Sequence, residues 1–179
     1  MNMTVFLDGI GSRGDNTNPT ASSLSNKQPQ HSSIGADIMV FTTSNTLIAS
    51  GTGTIAYNTT DGDYSGNVPI SAGFPSGYYV IKVKTHTHLR RQIEQVQNII
   101  SGQVNTITAA TLVTGDINDD NVLNILDYNL LLNCYSDLTA ATDCPSLSSK
   151  TDADLNDDGA VNQVDYNLFL RELSTQPGQ

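Results

Sequence analysis

The C-terminal third of the chain contains the same pattern of oxygen-bearing side chains twice. Residues 116–132 and 154–170 align with a shift of 38 positions, and ten of the 17 aligned residues are identical. Each copy reads D-x-N-x-D-x-x-x-N-x-x-D, which places Asp or Asn at positions 1, 3, 5, 9 and 12. Chance does not produce this agreement, so we interpret the two copies as one structural unit used twice.

Carboxylate, amide and carbonyl oxygens at this spacing are the donors of a calcium-binding loop. Ca²⁺ is a hard cation that takes about six to eight oxygen ligands, and the spacing is that of an EF-hand loop, in which the carbonyl of position 7 also binds. We therefore predict two calcium ions, one in loop 1 (residues 116–127) and one in loop 2 (residues 154–165). The predicted ligands are Asp116, Asn118, Asp120, the Val122 carbonyl, Asn124 and Asp127 in loop 1, and Asp154, Asn156, Asp158, the Ala160 carbonyl, Asn162 and Asp165 in loop 2.

The two loops differ at position 6, where the turn needs a left-handed backbone. Loop 2 has Gly159 there and loop 1 has Asn121, the residue that tolerates this conformation next best. We expect both loops to bind, the first more weakly. Asp replaces the usual Glu at position 12 of both loops, and its shorter side chain is expected to loosen the contact with the ion.

The distribution of charge also favours a bound cation. The net charge is −10; residues 1–110 hold six acids and six bases, whereas residues 111–179 hold twelve acids against Lys150 and Arg171. Such self-repulsion opposes a compact fold unless cations enter with it. The alternative, an acidic turn without metal, leaves that charge uncompensated. The charge argues against nucleic acid and anionic membranes as partners, and no apolar run reaches the roughly 18 residues that would span a bilayer.

Two cysteines, Cys134 and Cys144, lie ten positions apart in this acidic part. With no histidine nearby, their spacing matches no zinc pattern. They are either two free thiols or one local disulfide, and in an extracellular protein the disulfide is favoured.

Residues 1–110 show the alternation and turn signals of a β domain. In Gly77–Thr87 the side chains of Tyr79, Ile81 and Val83 fall on one face. The opposite face is basic, and we interpret it as solvated, with contact to the acidic repeats or to an anionic partner as the alternatives. The residues of this basic stripe are Lys82, Lys84, His86, His88 and Arg90.

Short strands separated by turns predict an antiparallel β-sandwich, similar to immunoglobulin or fibronectin III domains, over residues 1–110. Residues 111–179 are predicted to form a small two-helix unit, which makes the chain an α+β protein. Thr59–Gly66 is predicted to be a turn cluster, and Leu89–Ile100 is ambiguous but favours a short strand. The other expected strands are Met3–Leu7, Ala36–Thr42, Leu47–Tyr57, Val68–Ser71 and Gly77–Thr87.

The segment Gly115–Leu173 resembles dockerin domains, which carry G-D-x-N-x-D, then V/L-N-x-x-D-Y-N and a short helix, twice. Here, as in dockerins, the strand-like Ala110–Thr114 precedes the first loop in place of an entering helix. The resemblance implies two calcium ions and a cohesin partner on a scaffold or cell surface, with a β-sandwich module in front, as in bacterial or archaeal surface proteins. It also implies that the partner is recognised by loop positions 10 and 11 and by helix residues beyond them. These positions hold Ile125, Leu126, Leu132, Gln163, Val164 and Leu170.

Each predicted helix carries more apolar residues than one buried face needs. The first has Leu126, Leu130 and Cys134 on one stripe and Tyr128, Leu132 and Tyr135 on another; the second has Val164 and Leu168, then Tyr166, Leu170 and Leu173. Two helices packed together hide one stripe each, so the other stripe must meet a separate partner or the chain's own β domain. We favour docking on the β domain, which would make the two domains one rigid body.

Catalytic motifs are not found in the sequence. It contains no nucleophile elbow, phosphate-binding loop or zinc-hydrolase motif. We predict a non-enzymatic calcium-binding module for assembly or surface attachment, extracellular or at the cell surface and part of a larger secreted protein. The alternatives are a carbohydrate-binding module using Tyr57, Tyr64, Tyr78 and Tyr79, and a calcium-stiffened stalk. The tripeptide Arg13–Gly14–Asp15 is interpreted as incidental.

Overall fold

The computed structural model of the protein describes residues 1–12, 25–71, 73–136 and 144–175. The Arg-Gly-Asp tripeptide at 13–15 lies outside these ranges. The strands are β1 Asn2–Leu7, β2 Ser33–Phe41, β3 Leu47–Asn58, β4 Asp63–Asn67, β5 Gly77–Thr85, β6 Arg91–Gln92, β7 Gln97–Ile99 and β8 Ala110–Leu112. The helices are α1 Ile125–Cys134, α2 Leu147–Ala153 and α3 Gln163–Thr175.

The strands form one barrel-like sheet in the order β6-β5-β2-β3-β4-β1-β8, with β7 also paired to β5. The mixed α+β class is confirmed, but an immunoglobulin or fibronectin III sandwich is not, because the described strands form one continuous sheet. The expectation of a purely antiparallel sheet is also wrong, since β8 runs parallel to β1, with Val5 opposite Ala110.

The largest error in the strand prediction concerns β4. The turn-rich segment 59–66 contributes most of this strand, which pairs with both β1 and β3. The Tyr64 side chain is 1% exposed, and pairing on both sides outweighs the turn preference of its neighbours. Val68–Ser71 is not a strand, although Val68 is buried and its N–H donates to the Met1 carbonyl. The ambiguous segment 89–100 forms the short strands β6 and β7, as favoured.

Strand β5 confirms the predicted alternation on one face and contradicts it on the other. Tyr79, Ile81 and Val83 are buried in the sheet core. Lys84 and His88, however, are also buried, at 6% and 4% exposure, so the prediction that this face is solvated is wrong for them. The repeats cover this end of the sheet, as described below.

Two separate hydrophobic cores lie in succession along the chain. The first is formed by residues between Met1 and Leu112, and the second by residues between Ile117 and Phe169. The second core is filled by Leu131 of α1 and Phe169 of α3, both fully buried and equivalent across the repeat. The predicted stripes had omitted both.

Helix α2 was not expected from the sequence. Its residues are mostly poor helix formers, but the Ser146 side chain caps it by accepting a hydrogen bond from the Ser149 N–H. The buried Ala153 at its end leads directly into loop 2. No described helix combines the length and hydropathy needed to cross a membrane.

Candidate calcium loops and the exposed helix face

Loops 1 and 2 adopt the same backbone turn. Positions 4 and 6 are left-handed in both: Asp119 and Asn121 have φ of 60° and 67°, and Asp157 and Gly159 have φ of 56° and 96°. The requirement predicted at position 6 is therefore present in each loop, with glycine in one and asparagine in the other. Within the turn, the Asn side chain of position 3 donates to the position-5 carboxylate, at 2.8 Å in loop 1 and 2.9 Å in loop 2.

Most hydrogen bonds between side chains and backbone are the same in the two loops. The position-12 carboxylate accepts N–H groups of positions 3 and 9: Asp127 from Asn118 and Asn124, and Asp165 from Asn156 and Asn162. The position-1 carboxylate accepts the N–H of position 6 in both loops, at 2.9 Å to Asn121 and 2.7 Å to Gly159. Asn124, at position 9, also caps helix α1. The repeat therefore forms the same hydrogen-bonded loop twice, and we call each loop with these hydrogen bonds a cradle.

The cradles bury more negative charge than their hydrogen bonds neutralise. Asp116, Asp127 and Asp165 are 0% exposed. Burial raises the pKa of Asp165 to about 7 and that of Asp154 to about 6, against opposing backbone hydrogen bonds. Burial also raises the pKa of Asp127. In loop 1, Oδ1 of Asp116 is buried and no described group donates a hydrogen bond to it.

These features fit a hard cation. An oxygen that is buried without a hydrogen bond and carboxylates that resist ionisation both become favourable when a divalent ion supplies positive charge. Asn side chains and carbonyls account for half of each predicted ligand set, and no group of three His, Cys, Asp or Glu suited to a metal occurs among the described residues. A site in either loop must therefore use its amide and carbonyl oxygens as well as its carboxylates.

Loop 2 contacts the β domain through position 4. The Asp157 carboxylate lies 2.6 Å from Nδ1 of His31 and accepts the His31 N–H at 2.8 Å. The Asp157 carbonyl accepts the Gln30 N–H at 3.0 Å and the Asn26 amide at 2.9 Å. Loop 2 is thus held by the segment that precedes β2.

Loop 1 contacts the end of β5 through the equivalent position. Oδ1 of Asp119 lies 3.0 Å from Nζ of Lys84, which also pairs with Asp116. The Arg90 N–H donates to the Asn121 side chain at 2.5 Å. His86 contacts Asp152 at 2.8 Å. Contact between the basic stripe and the repeats, the alternative in the sequence interpretation, therefore occurs at Lys84 and His86.

The two domains meet mainly through these polar groups. The expectation that a helix stripe docks on the β domain holds in part. Leu168 of α3 is buried and lies against Gly9 of the β domain, and Cys134 is buried in the second core, but the loops make the contacts described above and several other stripe residues stay exposed. The exposed apolar residues of α1, α3 and the loops before them are Val122, Ile125, Leu126, Leu132, Val164, Leu170 and Leu173, with exposures of 39–64%. We call Ile125, Leu126, Leu132, Val164, Leu170 and Leu173 the helix face.

Cys134 and Cys144 form a disulfide, which confirms the favoured pairing and ties the end of α1 to the segment before α2.

The four tyrosines of the sugar-binding alternative do not form an exposed row: Tyr64 and Tyr79 are buried, Tyr57 is half-buried, and only Tyr78 is exposed.

Comparison with known proteins gives one family and several solved structures, two of which are described here. Residues 114–174 match the dockerin type I domain family. No curated protein matches the chain. The chain is similar to a crystal structure of a type II cohesin–X–dockerin complex from Acetivibrio cellulolyticus, an N-terminal interface mutant, with 17% identity, a TM-score of 0.52 and coverage of 96% of this chain and 94% of that chain. A C-terminal interface mutant of the same complex gives 16% identity and a TM-score of 0.44 with the same coverage. Because the first match covers nearly the whole chain, it shows a shared fold that includes the β domain.

Proposed function

We propose, from the dockerin-type domain that residues 114–174 form, that this chain is a non-catalytic assembly module that acts outside the cell. It holds one calcium ion in each loop and binds a cohesin-like surface protein through the helix face. The supporting observation is that this face stays exposed while the polar loops are used within the chain.

Calcium serves to order the second core. The ligands are the twelve residues named above, and the buried carboxylates of Asp127 and Asp165 lie in the first turns of helices α1 and α3. An ion that neutralises them fixes both helix starts. The direction of the helix face then follows from the calcium loops, because both helices leave the loops directly.

The composition of the helix face favours a partner with an apolar patch. Leu126 and Val164 are equivalent across the repeat, as are Leu132 and Leu170, and all four are 39–55% exposed. Clusters of exposed apolar residues on a soluble domain mark interaction sites. The similar complex contains a cohesin, and a cohesin-like protein is the partner that we assign to this face.

Calorimetric titration with CaCl₂ tests the calcium part of the proposal. We expect two ions per chain, and Asp116→Ala or Asp154→Ala should each remove one. A chain that takes up no Ca²⁺ at millimolar concentration would refute it.

Calorimetry with a purified type II cohesin tests the partner. Leu126→Asp combined with Leu170→Asp should weaken binding by at least about tenfold, because both place a charge in the apolar contact. Leu147→Asp is the matched control, since Leu147 is 82% exposed on α2 and lies outside the helix face. Equal weakening by the control and the double variant would rule out this surface.

A further inference from the structure

Lys84 is a buried cation between the two domains. Its side chain is 7% exposed, although it belongs to the sheet and not to the loops. Its ammonium group contacts three acceptors: the His88 carbonyl at 2.8 Å, Oδ1 of Asp119 at 3.0 Å, and Oδ2 of Asp116. An ammonium group has three donors, so each has a partner.

The contact with Asp116 fixes how the first ligand of loop 1 is presented. Oδ2 of Asp116 accepts from both Lys84 and the Asn121 N–H, whereas Oδ1 is buried and accepts no hydrogen bond from a described group. One oxygen is thus committed to the β domain and the loop backbone, and the other is left for an ion. Lys84 therefore positions a predicted calcium ligand.

Among the residues that the structure describes, loop 2 has no equivalent cation. Oδ1 and Oδ2 of Asp154 accept the N–H groups of Asp158 and Gly159. Lys150, the lysine closest in sequence, donates to the Gly159 carbonyl at 2.9 Å. Within the part of the chain that the structure describes, no Lys or Arg forms an ion pair with a predicted ligand of loop 2. The β-domain partner of its position-4 residue is His31.

We propose that Lys84 is a built-in counter-ion of loop 1, so that the β domain forms part of the first calcium site. It keeps Asp116 neutralised and loop 1 docked when calcium is absent, and it lowers the affinity of loop 1 for calcium below that of loop 2. This inference rests on the proposed binding of calcium.

Two physical effects give these directions. A buried carboxylate that loses its cation carries an uncompensated charge, which is strongly destabilising. A fixed positive charge on one oxygen of a carboxylate also repels a divalent ion that approaches the other, and such repulsion is strong away from bulk water. The first effect stabilises the docked arrangement of loop 1 in the absence of calcium. The second lowers the affinity of loop 1 for calcium.

The test measures the calcium affinity of loop 1 alone, by calorimetry with CaCl₂ on the full chain carrying Asp154→Ala. In that background, Lys84→Met should bind calcium at least about tenfold more tightly, whereas Lys84→Arg should stay within about threefold of its parent. Lys82→Met is the matched control, because it removes the same charge two residues earlier on β5 and should also stay within about threefold. Equal affinities for Lys84→Met and Lys82→Met overturn the proposal.

Folding gives a second readout. If Lys84→Met folds only with calcium while Lys82→Met folds without it, the counter-ion role is supported, and the affinity is then obtained from chelator-induced calcium release. If the metal-free Lys84→Met protein keeps its interdomain NMR contacts and the affinity of its parent, Lys84 has neither role. Absence of calcium binding in the unmodified chain would instead refute the proposed function, so the two failures are distinguishable.

Discussion

Asp119 and Asp157 share the fourth position of their loops, and each contacts the β domain. Both adopt a left-handed backbone, which Asp tolerates better than most other residues with a side chain. Asp119 then reaches Lys84, and Asp157 reaches His31. The identity of these residues in the two repeats is thus explained by docking, although position 4 is not a predicted ligand.

At the same scale, the buried His88 makes the free energy of unfolding depend on pH. Burial lowers its pKa to about 4; the positive charges of Lys84 and His86 act in the same direction, and the His86 carbonyl and Asp119 oppose them. In an unfolded chain the pKa of histidine is about 6.5. The unfolded state therefore binds the proton first, and stability is lost as the pH falls from about 6.5 toward 4, by on the order of 3 kcal/mol in full.

Urea unfolding of the unmodified protein and of His88→Asn, at several pH values from 7 to 4.5, measures this loss. The carboxylates titrate in both proteins, so the difference between their free energies of unfolding isolates His88. As the pH falls, the free energy of unfolding of the unmodified protein should decrease by more than that of His88→Asn. A difference that does not vary with pH would show that His88 is not held neutral in the fold.

At the scale of the elements, the buried side of each loop helix is set by the loop. The position-12 carboxylate must lie inside the cradle, so the residues four and seven positions after it also face inward: Leu131 and Cys134 follow Asp127, and Phe169 and Glu172 follow Asp165. The apolar stripes were assigned from helical spacing alone, without using the inward direction of the position-12 side chain. They therefore missed Leu131 and Phe169, which an argument from the ligand position would have found.

The disulfide supports the second core at this scale. It joins Cys134, buried at the end of α1, to Cys144 before α2. Closing a loop of this length removes roughly 3 kcal/mol of unfolded-state entropy in the chain-entropy model. With calcium chelated, we expect Cys134→Ala combined with Cys144→Ala to lower the urea midpoint of residues 114–174. Calcium stoichiometry should remain two, since neither cysteine is a predicted ligand; unchanged midpoints would contradict the prediction.

The sequence predicted the left-handed turn at position 6 of both loops but predicted their surroundings poorly, for a physical reason. Ligand spacing and the left-handed position 6 are local properties, which a repeat displays directly. Burial of Lys84 depends on where the ends of β5 and loop 1 meet in space, and the strand at Asp63–Asn67 depends on pairing with two distant segments. Non-local contacts such as these overrode local turn and charge preferences.

At the scale of the whole molecule, two separate cores are joined by a largely polar interface. Because the sheet core does not include the loops, removal of calcium should destabilise mainly the second core. Hydrogen exchange with and without EDTA should show lost protection in α1 and α3 and retained protection in β2 and β5. Magnesium in place of calcium is the control, since its stricter geometry fits this loop less well. Equal loss of protection in both domains would contradict this expectation.

The same interface fixes the orientation of the helix face relative to the β domain. NMR relaxation of the calcium-loaded protein should give one rotational correlation time for residues in both cores. Asp119→Asn combined with Asp157→Asn removes both position-4 charges but keeps side chains that tolerate the left-handed backbone. We expect independent motion of the dockerin-type domain in this variant, with two calcium ions still bound, because no predicted ligand is changed. Glu94→Gln, an exposed charge change on the β domain, should leave the single correlation time intact. If the double variant also tumbles as one body, the position-4 contacts do not hold the domains together, and the remaining contacts of Lys84 and Asn26 must suffice.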